Sequence, residues 1–406
     1  MNNSVLIIYL KKEGESIMDF SPSDKVLELM QSEIRNMSIE CDRTSGINLS
    51  QGICDLPLPE ILKNGIQEAV KLGYNCYTRY DGIPYLREQI AKKASGYNHI
   101  QCDPEKNIVV SCGATGALYC ACYAMFNVGD EVILFEPFYG YHAYTLTSLH
   151  LRPVYVKLKQ NNWEIDFFSL ESAITSHTKA IIISNPANPC GKVFSSEELK
   201  KIGELCEKYN LFLLSDEIYE YITFDGKEHV SPASLPGLKE RTVTVSGYSK
   251  TYSITGWRIG YSIADEKITE MIGGVNDLLY VCAPAPLQYA VAAAIEKLPV
   301  EYYLEICDGY RKKRDLLCEV LSKCQLQPSV PEGAYYVLAD VSVIPGKNSR
   351  EKAMYLLNET GVGAVPGEAF YSDGFGTNIL RFCFAKDISV IQKAGKLIMQ
   401  NSNKWC

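Results

Sequence analysis

Apolar positions follow two periods along this chain. From Asn107 to about residue 265, short apolar runs of strand length alternate with stretches whose apolar residues recur at helical spacing. The runs are NIVVS (107–111), EVILFEP (131–137), PVYVKL (153–158), KAIIISNP (179–186), LFLLSD (211–216) and TVTVSG (242–247). A repeated switch between the two periods predicts a parallel, doubly wound sheet covered by helices. Further helices are predicted over 23–38, 61–73, 266–278, 285–297 and 300–324. Pro84 suits a first helical position, and Ser195 with Glu198 makes a capping box. Toward the C-terminus, GAYYVLADV (333–341) and NILRFCFA (378–385) alternate like strands, and VGAVPGEAFY (362–371) reads as a strand running into a glycine turn. The fold class is therefore α/β: a large domain with a mostly parallel sheet sandwiched by helices, and a smaller α+β domain drawn from both chain ends. The expected divisions are an N-terminal segment of the small domain at 1–60, a large domain at 61–295 and a small C-terminal domain at 296–406. Residues 1–17 read as an extension, and FYGYHAY (138–144) as an aromatic loop.

Composition narrows the function. The 406 residues are 47% hydrophobic and 22% charged with a net charge of -8, which suits a soluble enzyme and offers no basic patch for nucleic acid. No apolar run approaches the ~20 residues of a membrane span. The early VLIIYL is short and has no basic residues before it, so it is not read as a signal peptide and a cytoplasmic location is expected. The 15 cysteines are scattered without a C-x-x-C pair, and Cys120 and Cys122 fall in an apolar helical run as core filler. The five histidines stand apart in sequence, so reduced thiols and no metal site are expected.

The chemistry gathers around SGYSKTYSITGWRIGY, residues 246–261. Lys250 sits among small hydroxyl and glycine residues, where its amine is desolvated and pushed toward the neutral, nucleophilic form. Arg258 and the nearby hydroxyls suit a phosphate. A lysine nucleophile beside a phosphate site points to pyridoxal 5'-phosphate. The turn after NIVVS opens a helix at Gly113, whose free N–H groups favour an anion. Asp216 closes an apolar strand and is a candidate partner for a protonated ring nitrogen, although its neighbour Glu217 is an equal candidate from spacing alone. Arg381 interrupts an apolar strand and needs an anion. Gly52 is either a turn glycine or a close approach of backbone to ligand. Tyr77, Tyr80 and Tyr85 lie in or beside an exposed loop.

These pieces occur together in one order: SDEIY, NPxNPxG, the lysine of SGYSK, GWRIGY and a C-terminal arginine strand. In this the chain, from about residue 45 onward, resembles the class I/II aminotransferases, pyridoxal-phosphate enzymes of the aspartate aminotransferase fold. The resemblance implies that Lys250 carries the cofactor as an internal aldimine and moves the proton, and that Asp216 pairs with the pyridinium nitrogen. It implies that Tyr219 and Asn188 hydrogen-bond the phenolic oxygen, and that Tyr139 stacks on the ring. Ala114 and Thr115 after Gly113, with Arg258, correspond to the phosphate binders. Arg381 corresponds to the arginine that grips the substrate α-carboxylate, and Gly52 to a glycine lining that pocket. Tyr77 corresponds to a tyrosine that crosses a homodimer interface to the neighbour's phosphate. Where the family often has serine three residues before the lysine, this chain has Gly247, and Ser249 is expected to take over. The implied reaction exchanges amino and oxo groups between an L-amino acid and a 2-oxo acid. A carbon–sulfur β-lyase or an aminocyclopropane-carboxylate-synthase-like elimination is the alternative on the same fold, and a non-catalytic regulator is a third reading. A lysine near Thr115, carried by some dicarboxylate-specific members, is absent, which leaves room for aromatic, methionine-like or glutamine-like substrates.

Overall fold

The computed structural model describes residues 32–160 and 162–405. The expected extension and the first part of the helix over 23–38 lie outside these residues. The described part of that helix runs further than expected, as Glu33–Arg43. In chain order the strands are β1 (Ile47–Asn48), β2 (Ile108–Cys112), β3 (Glu131–Glu136), β4 (Arg152–Lys157), β5 (Thr178–Ser184), β6 (Phe212–Asp216), β7 (Thr242–Gly247), β8 (Ile259–Ile263), β9 (Gln327–Ser329), β10 (Tyr336–Asp340), β11 (Val362–Gly363), β12 (Val365–Pro366) and β13 (Ile379–Cys383).

A seven-stranded sheet of order β2-β8-β7-β6-β5-β3-β4 forms the centre. Its apolar runs look continuous because both faces are covered. Ile133, Ile181 and Leu213 pack on one face, while Leu134, Ile182 and Leu214 pack on the other. Strand β8 was not anticipated, and it is antiparallel to both neighbours. The stretch between Gly247 and Ile259 holds no crossover helix, so the chain turns back directly beside β7. This return has a consequence for the site. The C-terminal ends of β2, β3, β5, β6 and β7 and the start of β8 share one edge, where a doubly wound sheet binds its ligands.

The second sheet, of order β12-β13-β10-β9, is antiparallel and sets Arg381 opposite Leu338. Beside it β1 pairs in parallel with β11. The 24-residue helix Val300–Lys323 contributes Ile306, Tyr310, Leu317 and Leu321 to the core behind this sheet. Helix-start chemistry is as read. Pro84 opens the helix Pro84–Lys93. The Ser195 hydroxyl accepts from the Glu198 amide at 3.2 Å, and the Glu198 carboxylate accepts from the Ser195 amide at 3.0 Å. FYGYHAY is not a loop throughout, because Gly140–Ser148 is helical. Cys120 and Cys122 are core residues of the helix Gly113–Met125.

Candidate active site

The shared strand edge opens into a cavity of about 220 Å³. Ala114, Thr115, Tyr139, Asn188, Asp216, Tyr219, Ser249, Lys250 and Arg258 all line it. At its anionic end the helix Gly113–Met125 begins directly after β2 without a side-chain cap. Its first amides have no partner within the helix and point at the cavity mouth. Gly113 has φ +77, and a Cβ there would meet an Arg258 guanidinium nitrogen at 2.5 Å. Arg258 donates to the carbonyls of Thr255 at 3.0 Å and Cys112 at 3.5 Å and, among the described residues, forms no ion pair. An uncompensated guanidinium, an uncapped helix start and the Ser249 hydroxyl make a donor set that fits a phosphate.

Asp216 ends β6 in the middle of the cavity wall. Its carboxylate lies 2.9 Å from Nε2 of His142 and accepts from the Ile218 amide at 3.2 Å. Glu217, one residue on, faces the other way: its carboxylate accepts from Ser231 and lies 2.9 Å from Nε2 of His229. Of the two carboxylates that spacing left open, Asp216 lines the cavity and Glu217 does not. The two histidines are not isolated in space, since each holds a carboxylate. His142 was missed because the helix that carries it was read as a loop. Its ring stands edge-on to Tyr139, with centroids 5.3 Å apart.

Lys250 leaves the turn after β7 with Nζ 3.5 Å from the Gly52 carbonyl, its one hydrogen-bond partner among the described residues. Burial pushes its amine below the ordinary lysine value. Ser249 faces the cavity, whereas Ser246 is turned away and bonds Glu220 at 3.0 Å. Arg381 is fully buried. It donates to Asn188 Oδ1 at 2.9 Å and to the Ser50 carbonyl at 2.7 Å, and its Nε has no partner. Its guanidinium carbon lies 4.1 Å from the Tyr336 ring centroid and 5.0 Å from that of Phe370. A buried cation supported by rings and neutral acceptors still lacks a counter-charge.

Two expectations need comment. A Cβ at Gly52 would come within 2.0 Å of the Tyr336 hydroxyl, so a neighbouring side chain explains this glycine in the structure. Tyr77 is 83% exposed and does not enter the cavity of its own chain. Tyr335 and Tyr336 also frame the site unannounced, because an apolar strand pattern does not show which hydroxyls meet. Tyr335 donates to the Gly52 carbonyl at 3.0 Å, and Tyr219 to the Tyr336 hydroxyl at 3.2 Å.

The chain is similar to known proteins along most of its length. The family model "Aminotransferase class I and II" matches residues 44–396. A kynurenine–oxoglutarate transaminase of Dictyostelium discoideum is 33% identical over 96% of both chains. A methionine aminotransferase of Escherichia coli is 33% identical over 93% of this chain and 98% of its own length. The crystal structure of an Escherichia coli protein with methionine aminotransferase function superposes with a TM-score of 0.90 at 32% identity, covering 94% of this chain and all of that one. The chain belongs to the class I and II aminotransferases.

Proposed function

We propose that this enzyme uses pyridoxal 5'-phosphate to move the amino group of a large, uncharged L-amino acid, of the methionine or aromatic type, to a 2-oxo acid. The observation that carries the reading is one cavity joining a phosphate cradle, a carboxylate and a depressed lysine, with the buried, uncompensated Arg381 hydrogen-bonded to Asn188 of its wall. The Gly113–Thr115 helix start, Ser249 and Arg258 would hold the cofactor's phosphate, Tyr139 and Asp216 would hold its ring and ring nitrogen, and Tyr219 and Asn188 would hold its phenolic oxygen. Bound pyridoxal phosphate draws electrons from the amino acid's α-carbon and so acidifies its α-proton. Asp216, oriented by His142, keeps a proton on the ring nitrogen. Lys250 anchors the cofactor, and its Nζ, once released, takes the α-proton. Arg381 orients the substrate carboxylate, with Asn188 and the Ser50 carbonyl fixing the fork.

The substrate class rests on two supports. Kynurenine and methionine are named for the relatives. Among the described residues, the rings that pack on the Arg381 guanidinium are Tyr336 and Phe370, and Tyr139 lines the neighbouring cavity. The protein is further proposed to be a cytoplasmic homodimer whose Tyr77 reaches the partner's phosphate. Tyr77 and Val281 are both exposed and are the chain neighbours of Thr78 and Cys282, which are in contact, and Leu278 is 75% exposed. A donor panel with a common oxo acid tests the substrate reading. Methionine, phenylalanine and kynurenine should exceed aspartate in kcat/KM, and an aspartate value equal to theirs overturns it. Pyruvate and ammonia released without any oxo acid would identify elimination instead.

A further inference from the structure

Tyr336 touches both halves of the proposed chemistry. Its ring lies under Arg381, 4.1 Å from the guanidinium carbon. Its hydroxyl is 3.2 Å from that of Tyr219. It is buried, with only 4% of its surface exposed, so water does not replace these partners freely. The chain has also cleared room for the hydroxyl, since any side chain at Gly52 would collide with it at 2.0 Å. A phenylalanine at 336 would supply the platform for Arg381 equally well. The hydroxyl and the glycine that accommodates it therefore call for a separate account.

We propose that Tyr336 is a positioning residue whose hydroxyl donates to Tyr219 and thereby directs the Tyr219 proton at the cofactor's phenolic oxygen, an inference that rests on the pyridoxal phosphate reading above. Each tyrosine has one proton and one oxygen able to accept. The two hydroxyls lie 3.2 Å apart, so one donates to the other. With an anionic oxygen within reach of Tyr219, the Tyr336 hydroxyl donates a hydrogen bond to the Tyr219 oxygen, and the Tyr219 hydroxyl donates its own to the anion. A donor that is itself hydrogen-bonded through its oxygen is a stronger donor. The Tyr336 phenol is suited to this work, because burial pushes it up to about 12 and keeps its proton in place at physiological pH. The ring and the hydroxyl thus have separable duties, one toward the substrate carboxylate and one toward the cofactor.

The test is a spectroscopic pH titration of the cofactor-loaded enzyme. Withdrawing charge from the phenolic oxygen weakens its hold on the neighbouring proton, so loss of the reinforcement should raise the midpoint of the visible absorbance change. Tyr336→Phe should raise it by about 0.5 to 1 unit, the scale of one hydrogen bond, while KM for amino donors stays near native. Tyr336→Leu should add an increase of about tenfold in KM as Arg381 loses its platform. Gly52→Ala, which pushes the hydroxyl aside, should move the midpoint in the same direction as Tyr336→Phe. A loaded Tyr336→Phe enzyme with the native midpoint overturns the inference. Native protein without cofactor absorbance would instead overturn the reading beneath it.

Discussion

Asp216 and Glu217 are neighbours in sequence and opposites in environment. Behind the sheet, each carboxylate has a basic partner within the protein, although Glu217 Oε1 and His229 Nδ1 are left without a hydrogen bond. Glu217 holds His229 and Ser231. Glu220 pairs with Lys93 and accepts from Asn98 at 2.8 Å and from Ser246 at 3.0 Å. On the cavity side the charges are left open. Lys250, Arg258 and Arg381 form no ion pair among the described residues, and Asp216 has one histidine. Burial alone does not separate the two groups, for Glu217 and Glu220 are as deeply buried as Arg381. Pairing does. Buried charges matched within the protein hold the fold together, whereas unmatched cations at a cavity are prepared for a ligand.

Substitutions should divide along that line. The largest effect belongs to Lys250→Ala, which should lower turnover by at least ~10⁴-fold and abolish covalent retention of the cofactor, with the unfolding midpoint of the cofactor-free protein unchanged or raised because a strained amine is gone. Retained turnover would remove Lys250 from the mechanism. On the other side, Glu220→Gln leaves Lys93 buried without a counter-charge and should cost about 3–5 kcal/mol of stability, read by denaturant unfolding. The turnover of molecules that remain folded should not change. A pH arm sharpens this. Burial opposes the Glu220 charge, but Lys93, His229 and Asn98 outweigh it and hold the carboxyl below its ordinary 4.5. Its contribution is therefore complete above pH 4.5 and is lost as pH falls through the lower folded value. The variant should lack that acid-limb loss.

Third in size is Arg381→Lys. A lysine keeps the charge but not the planar fork, so KM for every amino donor should rise about 10- to 100-fold, with stability little altered. A native KM would make Arg381 a structural cation.

The same division explains what was legible in the sequence. Lys250, Arg258, Gly113 and Arg381 announced themselves because each breaks its local pattern: a cation among small hydroxyls, a glycine at a helix start, a charge inside an apolar strand. The strand–helix alternation over 107–265 announced the sheet for the same reason, through period. What stayed hidden was three-dimensional. No spacing tells whether Asp216 or Glu217 faces the cavity, since the chain leaves β6 at that point and alternation ends. His142 lay in a run whose aromatic content masked its helix. Strand β8 was absorbed into the lysine motif, and its direction depends on a return that only the turn geometry fixes. The Tyr219–Tyr336 contact joins residues 117 apart in sequence and two different sheets' surroundings, beyond the reach of any local signal.

The finest test uses two serines. Of the two serines that flank the Gly247 position, the sequence favours Ser249 for the phosphate, and the fold sends the pair to opposite sides of the comparison. Ser249 lines the cavity beside Arg258, so Ser249→Ala should weaken binding of pyridoxal 5'-phosphate about tenfold, near the worth of one hydrogen bond to a charged group, without shifting the unfolding midpoint of the cofactor-free protein. Ser246 donates to Glu220 and to the Glu217 carbonyl. Ser246→Ala should therefore cost about 1–2 kcal/mol of stability and leave cofactor affinity at its native value. Equilibrium dialysis and urea unfolding of both variants read the two effects independently. If Ser246→Ala weakens the cofactor and Ser249→Ala does not, the boundary drawn between paired carboxylates and open cavity lies on the wrong side of Lys250.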